Sequence, residues 1–130
     1  MTDGDTLWVQ SRQGGEPRKI RLSGIDAPEI CQAHGEAARR ALASRVLGQP
    51  VLVTPLRKDD YGRLLARISV QDQDVGHWLV LHGHAWSYHG QRDAGPYAQQ
   101  EAWARSQALG LWQVRAMSPK TFRRRHGSCH

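Results

Sequence analysis

The sequence predicts a mainly β domain with helices, built as a small closed or partly open β-barrel that carries its helices outside. Two observations predict it. Short apolar runs bounded by glycine and proline turns dominate the first part of the chain and return after residue 50. An amphipathic helical pattern is inserted after the third turn and two more come later, so the order is strands, helix, strands, helix, helix. At 130 residues the chain has the length of one ordinary domain around a single core.

Taken in order, Asp3-Gly4-Asp5-Thr6 is a turn, and Leu7, Trp8 and Val9 suit the strand after it. Ser11 to Pro17 contains Gly14-Gly15, a hairpin signal that leads into a second strand from Arg18 to Ile25. Pro28 then takes the chain out of ladder pairing. From Gly35 to Leu47, Ala38, Leu42 and Val46 fall four apart with Ala41 beside them, which predicts a helix stopped at Gly48. Arg39, Arg40 and Arg45 read as its solvated face. Val51 to Val53 and Leu64 to Val70 are strands, and Gln71 to Asp74 reads as a turn. Val75 to Leu81 has helical spacing with Val75, Trp78 and Leu79 on one face, and Gly83 stops it. Ala85 to Tyr88 is extended. Asp93 to Pro96 introduces a last helix, Tyr97 to Leu109, capped by Gly110. Ser118 to His130 holds Arg123-Arg124-Arg125 and reads as a basic, flexible tail, a solubilising terminus with a dedicated nucleic-acid contact as the alternative, so residues 1–114 form the domain and 115–130 the tail.

Charge narrows the function. Eighteen Lys and Arg against twelve Asp and Glu give a net +6, a field that concentrates polyanions, with nucleic acid the leading partner class. No apolar run approaches the roughly 20 residues that span a bilayer. Cys31 and Cys129 lack CxxC spacing, so no zinc site is read, and nothing in the sequence brings the two together. No basic segment followed by an apolar stretch opens the chain, so no secretory signal is read in it.

Three segments carry chemistry: Asp3 to Thr6, Ile20 to Glu29, and Asp60-Tyr61-Gly62-Arg63. Asp5 and Arg21 fall on neighbouring strands, and Asp26 and Glu29 lie at the exit of the second. Asp5 and Asp26 offer hard oxygens of the kind Ca²⁺ takes in a tolerant geometry. Arg21 and Arg63 offer planar forks that match phosphate oxygens, and Glu29 is a spare carboxylate for an attacking water. Each residue also has a plain structural reading: Asp5 as a turn cap, Arg63 as the partner of Asp59.

These segments, read in order, resemble the thermonuclease family, the staphylococcal-nuclease-like domains. The resemblance rests on DGDT at Asp3 to Thr6, R-L-x-G-I-D-A-P-E from Arg21 to Glu29, G-x-E-A-A at Gly35 to Ala38 and D-x-Y-G-R at Asp59 to Arg63. It continues through V-x-x-W-L-V-x-x-G from Val75 to Gly83, A-W-x-Y at Ala85 to Tyr88, and Y-x-x-x-E-x-x-A-R with G-L-W up to Trp112. It implies a five-stranded OB-type barrel with three helices and calcium-dependent cleavage of DNA and RNA. Asp5 and Asp26 then resemble the metal carboxylates, with the backbone carbonyl of Ala27 completing the protein ligands. Glu29 resembles the residue that activates or orients the water, and Arg21 and Arg63 the phosphate clamps. Tyr61 resembles the tyrosine near a terminal phosphate, and Tyr88 the aromatic against the base.

The chain departs from the family pattern in two places, of which the second is the more serious. Ala27 stands where the founding member has threonine, a change that leaves a backbone carbonyl in place. In the family a full strand precedes DGDT, and here only Met1 and Thr2 do, so the first strand is expected to be truncated. An unpaired edge and the lost apolar contacts would cost several kcal/mol, roughly, in a domain of this size. A monomer is the expectation, with a strand-swapped oligomer as the alternative. The functional expectation is a nuclease of little sequence specificity; the alternative is an OB-type module that binds nucleic acid without cutting it. An exported or envelope location is what the resemblance suggests.

Overall fold

A computed structural model of the chain describes residues 3–88, 95–114, 116–127 and 129. Seven strands and four α-helices stand among them. Strand β1 (Thr6–Val9) pairs antiparallel with β2 (Arg18–Leu22), Thr6 opposite Arg21 and Leu7 opposite Ile20. Alternation on this hairpin buries Leu7, Ile20 and Leu22 while Trp8 faces out.

The predicted second strand, Arg18 to Ile25, breaks in two. Gly24 has φ +82, a conformation that glycine adopts without strain, and the two residues after it form a separate strand, β3 (Ile25–Asp26). Arg21 staples the bend: its Nη1 donates to the carbonyls of Leu22 and Ile25 at 2.6 and 2.8 Å. The break turns Asp26 back toward Arg21.

Helix α1 (Gly35–Val46) buries Gly35, Ala38, Ala41, Leu42 and Val46, the face its spacing predicted. Strand β4 (Leu52–Lys58) runs longer than the predicted Val51 to Val53 and is largely exposed. Its register against β5 (Leu64–Val70) shifts between Pro55 and Arg57, as suits proline on an edge strand that need not donate there. Residues 71–72 form the expected turn, but Gln73–Asp74 pair back on β5 as strand β6. Asp74 then caps helix α2 (Val75–Leu81), accepting from the N–H groups of Gly76 and His77. Strand β7 (Trp86–Ser87) pairs with β3. Helix α3 (Ala98–Ser106) is shorter than predicted, because Ala108 turns left-handed at φ +52 and a 3₁₀ turn, Gly110–Gln113, follows. Asp93 and Ala94, expected to introduce this helix, lie outside the described residues.

Strand β5 is the hub, parallel to β2 and antiparallel to β4 and β6. The main sheet runs β1-β2-β5-β4 with β6 on β5, and β3-β7 is a second, two-stranded sheet. The main sheet has the five strands expected of an OB-type barrel, and of the closed and partly open forms the described residues match the open one, since the main path ends at β1 and β4 without a closing ladder. The count of helices also rises from three to four. Met1 and Thr2, on which the expectation of a truncated first strand falls, lie outside the described residues. One core lies between the sheet and helices α1 and α2, built on Ile20, Leu22, Leu42, Ile68 and Leu79, each at 0 or 1% exposure.

The end of the chain differs most from its reading. Pro119–His126 form helix α4, with Ser118 accepting from the Thr121 N–H as N-cap and Pro119 at the first position. Cys129 is disulfide-bonded to Cys31 across 98 residues of sequence.

Candidate active site

The site forms where the β1 entry, the β2–β3 bend and the turn after β3 meet. Asp5 sits just before β1, and its carbonyl accepts from the Leu22 N–H at 2.8 Å. Its carboxylate accepts from the Ala27 N–H at 2.8 Å and the Thr6 hydroxyl at 3.1 Å. Ala27, expected to face the metal through its carbonyl, thus also anchors Asp5 through its N–H. The second guanidinium nitrogen of Arg21 lies 3.4 Å from Asp5 and 3.5 Å from Asp26. Asp5 and Asp26 are buried, at 4% and 7% exposure, so neither is a solvated surface acid. Asp3, given no role by the sequence, accepts from the Asp5 N–H at 3.1 Å.

Electrostatically the cluster has more negative charge than Arg21 neutralises. Burial, then the charge of Asp5, pushes the Asp26 carboxyl up to about 6. Burial, then Asp5 again, pushes Asp3 up to about 8. Burial also opposes the charge on Asp5, yet Arg21 and the hydrogen bonds from Asp3, Ala27 and Thr6 hold its carboxyl below the usual range. A nearby cation would relieve this crowding.

Glu29 lies three residues beyond Asp26, in a tight turn. Its N–H donates to Gln32 Oε1 at 3.0 Å and its carbonyl accepts from the Gln32 N–H at 2.9 Å. Gly35 is required there, since a Cβ at that position would lie 1.9 Å from the Glu29 carbonyl oxygen. The Glu29 carboxylate is bonded by Arg123 of helix α4, whose other nitrogen lies 3.6 Å from Asp26. Sequence reasoning left Arg123 in a basic tail and did not bring it to Glu29 and Asp26. Its signal was Ser118-Pro119, a cap followed by a first-turn proline, which marked a helix in what read as a tail.

Arg63 reaches the same cleft from the β4–β5 turn. Its Nε donates to Asp59 at 2.7 Å, and the other Asp59 oxygen accepts from the N–H groups of Tyr61 and Arg63. The plain reading of Arg63 as the partner of Asp59 therefore holds alongside its place in the cleft. Tyr61 is 85% exposed and Tyr88 55% exposed, two aromatic faces open to solvent at the rim. Asp5, Arg21, Asp26, Glu29, Arg63 and Arg123 line one open cleft of about 880 Å³, together with Tyr61 and Tyr88.

The sequence resembles known proteins in the same sense. Residues 19–114 match the model of the family described as staphylococcal nuclease homologues. The chain belongs to the staphylococcal nuclease family. Its relatives include an uncharacterized endonuclease of Haemophilus influenzae, 35% identical over 112 residues that cover 86% of this chain and 62% of the relative. A protein named micrococcal nuclease from Shigella flexneri is 35% identical over 136 aligned positions, covering 95% of this chain and 77% of the relative. Protein ParB of Escherichia coli is 38% identical, covering 95% and 76%. The chain thus spans less than two thirds of the Haemophilus relative. In this staphylococcal nuclease homologue, Arg21, Asp26, Glu29, Arg63, Tyr61 and Tyr88 fall within the matched span, while Asp5 precedes it.

Whether the residues suit a metal can be tested on the donor set. Among the described residues no three His, Cys, Asp or Glu side chains are arranged to hold an ion. Two buried carboxylates in surplus negative charge nevertheless suit a hard cation that completes its shell with carbonyl and water oxygens, as Ca²⁺ does.

Proposed function

We propose that this chain is a calcium-dependent nuclease that hydrolyses phosphodiester bonds of DNA, RNA or both with little sequence specificity. The observation that supports this reading is the convergence of Asp5, Arg21, Asp26, Glu29 and Arg63 on one cleft from separate stretches of chain. The relatives' names, endonuclease and micrococcal nuclease, point the same way.

In this reading Asp5 and Asp26, with the Ala27 carbonyl, would hold Ca²⁺. The bound ion supplies Lewis-acid polarisation of a phosphate oxygen. Glu29 accepts a proton from the attacking water as its oxygen bonds to phosphorus. The bond from phosphorus to the leaving oxygen breaks on the opposite side, its electron pair going to that oxygen, which takes a proton from solvent. Arg21 and Arg63 meet the charge that develops on the phosphoryl oxygens, and guanidinium forks match that geometry. Tyr61 lies beside a terminal phosphate and Tyr88 offers a stacking face to a base, a contact that every base can make.

The test is hydrolysis of single-stranded DNA by the purified protein with Ca²⁺ and then with chelator. Activity should vanish with chelator and fall by about 10² to 10⁴ in Glu29→Gln, the usual range for a general acid–base group. Metal-independent cleavage, or full activity in that variant, would overturn the mechanism. Tight binding without turnover by the wild type would instead favour a binding module on the same fold.

A further inference from the structure

Helix α4 is built against the catalytic turn by three separate links. Cys129 is bonded to Cys31, two residues past Glu29. The amide of Gln32, whose Oε1 accepts from the Glu29 N–H, donates its own N–H to the Met117 carbonyl. Arg123 bonds the Glu29 carboxylate and lies 3.6 Å from Asp26. Pro119, at the first turn of the helix, is fully buried. A solubilising tail would need none of these links.

Charge shows what the arrangement does. Asp3, Asp5, Asp26 and Glu29 put four carboxyl groups along one wall of the cleft, and Arg21 is the cation set among them from the β2 side. A phosphodiester approaching that wall meets like charge, which repels unless cations face it. Lys19, Arg57 and Arg63 also line the cleft, Arg63 with its Nε committed to Asp59. Arg123 is the guanidinium at the mouth: its side chain is 42% exposed while its nitrogens reach Glu29 and Asp26. A guanidinium has five N–H groups, so two contacts to carboxylates leave donors for phosphate oxygens.

We propose that Arg123 is a third phosphate-binding arginine of the cleft, delivered by the C-terminal helix, and that the Cys31–Cys129 disulfide holds it in place. The proposal rests on the nucleic-acid reading of the cleft, but it concerns binding and so can be tested apart from cleavage. The disulfide holds the Cα atoms of Cys31 and Cys129 5.7 Å apart, and Cys129 follows the last residue of α4 by three positions, so the helix is tethered to the turn that carries Glu29. In the reduced protein the Gln32 and Arg123 contacts and the buried Pro119 remain, and the two polar contacts compete with water.

The experiment measures binding of a fluorescent thymidine oligonucleotide by anisotropy in chelator, across a salt series, so that no turnover intervenes. Arg123→Ala should weaken binding about tenfold and lower the slope of log K against log salt by about 0.7, the loss of one single-strand phosphate contact. Arg123→Lys should keep the slope, because the charge remains. Wild type treated with reductant, and the Cys31→Ser/Cys129→Ser variant, should show the Arg123→Ala slope. Adding Arg123→Ala to that pair should change nothing more, which a merely structural disulfide would not predict. Binding within twofold of wild type at an unchanged slope in Arg123→Ala would overturn the proposal, as would tighter binding. A wild type without salt-dependent binding would overturn it as well. An unchanged slope after reduction would overturn the role of the disulfide. Should the wild type bind through Arg123 yet cut nothing in Ca²⁺, the nuclease mechanism fails and this assignment stands.

Discussion

Replacing Asp26 by asparagine should stabilise the metal-free protein while destroying its activity. Asp26 is 7% exposed and lies beside Asp5, and these surroundings raise its carboxyl from 3.8 to about 6. Between those two values the folded protein holds a proton that the unfolded chain has released, so stability falls as pH rises through that window. Above about 6 the penalty is complete, and a carboxyl raised that far costs the folded state about 3 kcal/mol once it is charged. Asparagine keeps the shape and removes the charge. Allowing for rearranged contacts with Arg21 and Arg123, the gain at pH 8 should be about 2 kcal/mol, or roughly 6 to 10 °C in unfolding midpoint for a chain of this size. Near pH 4 wild type and Asp26→Asn should melt together, because the wild-type carboxyl is then neutral. Calorimetric scans in chelator at pH 4 and pH 8 are the assay, and Ca²⁺ added at pH 8 should raise the wild-type midpoint far more than that of the variant. The reasoning is refuted if Asp26→Asn melts below wild type at pH 8, or if its gain is the same at both pH values.

Two further outcomes follow from local geometry. Gly35→Ala would place a Cβ 1.9 Å from the Glu29 carbonyl, so urea unfolding should show a loss of about 3 kcal/mol, at the upper end of overpacking costs, with hydrolysis falling alongside as the Glu29 turn is displaced. Arg63→Lys removes both the planar fork and the Nε bond to Asp59; turnover in Ca²⁺ should fall by about 10² with a smaller change in KM, whereas activity within twofold of wild type would remove Arg63 from the site.

Much of this molecule was legible along the chain because its signals are local. Helix α1 follows from apolar residues four apart, and β5 from an apolar run between two turns; each needed only neighbours in sequence. Legibility failed where an element depends on what packs against it. Gly24 reads as one residue within a strand, yet its left-handed φ ends β2 and frees Ile25–Asp26 to pair with β7, some 60 residues on. The periodicity of α3 runs to Leu109, but residues 107–109 leave the helix, and the 3₁₀ turn after them is held by the Leu111 N–H donating to the Gly83 carbonyl.

The chemistry divides along the same line. By itself the sequence determined which groups are present: the acids and arginines of Asp3 to Thr6, Arg21 to Glu29 and Asp59 to Arg63, in the order of the staphylococcal nuclease family, because composition and spacing are properties of the chain. Only the tertiary structure decided how strongly those acids crowd one another, since desolvation and Coulomb energy depend on burial and distance. It alone also brought Arg123 to Glu29, across 94 residues, through a disulfide and a capped helix whose two ends of chain carry no mark of each other in the sequence.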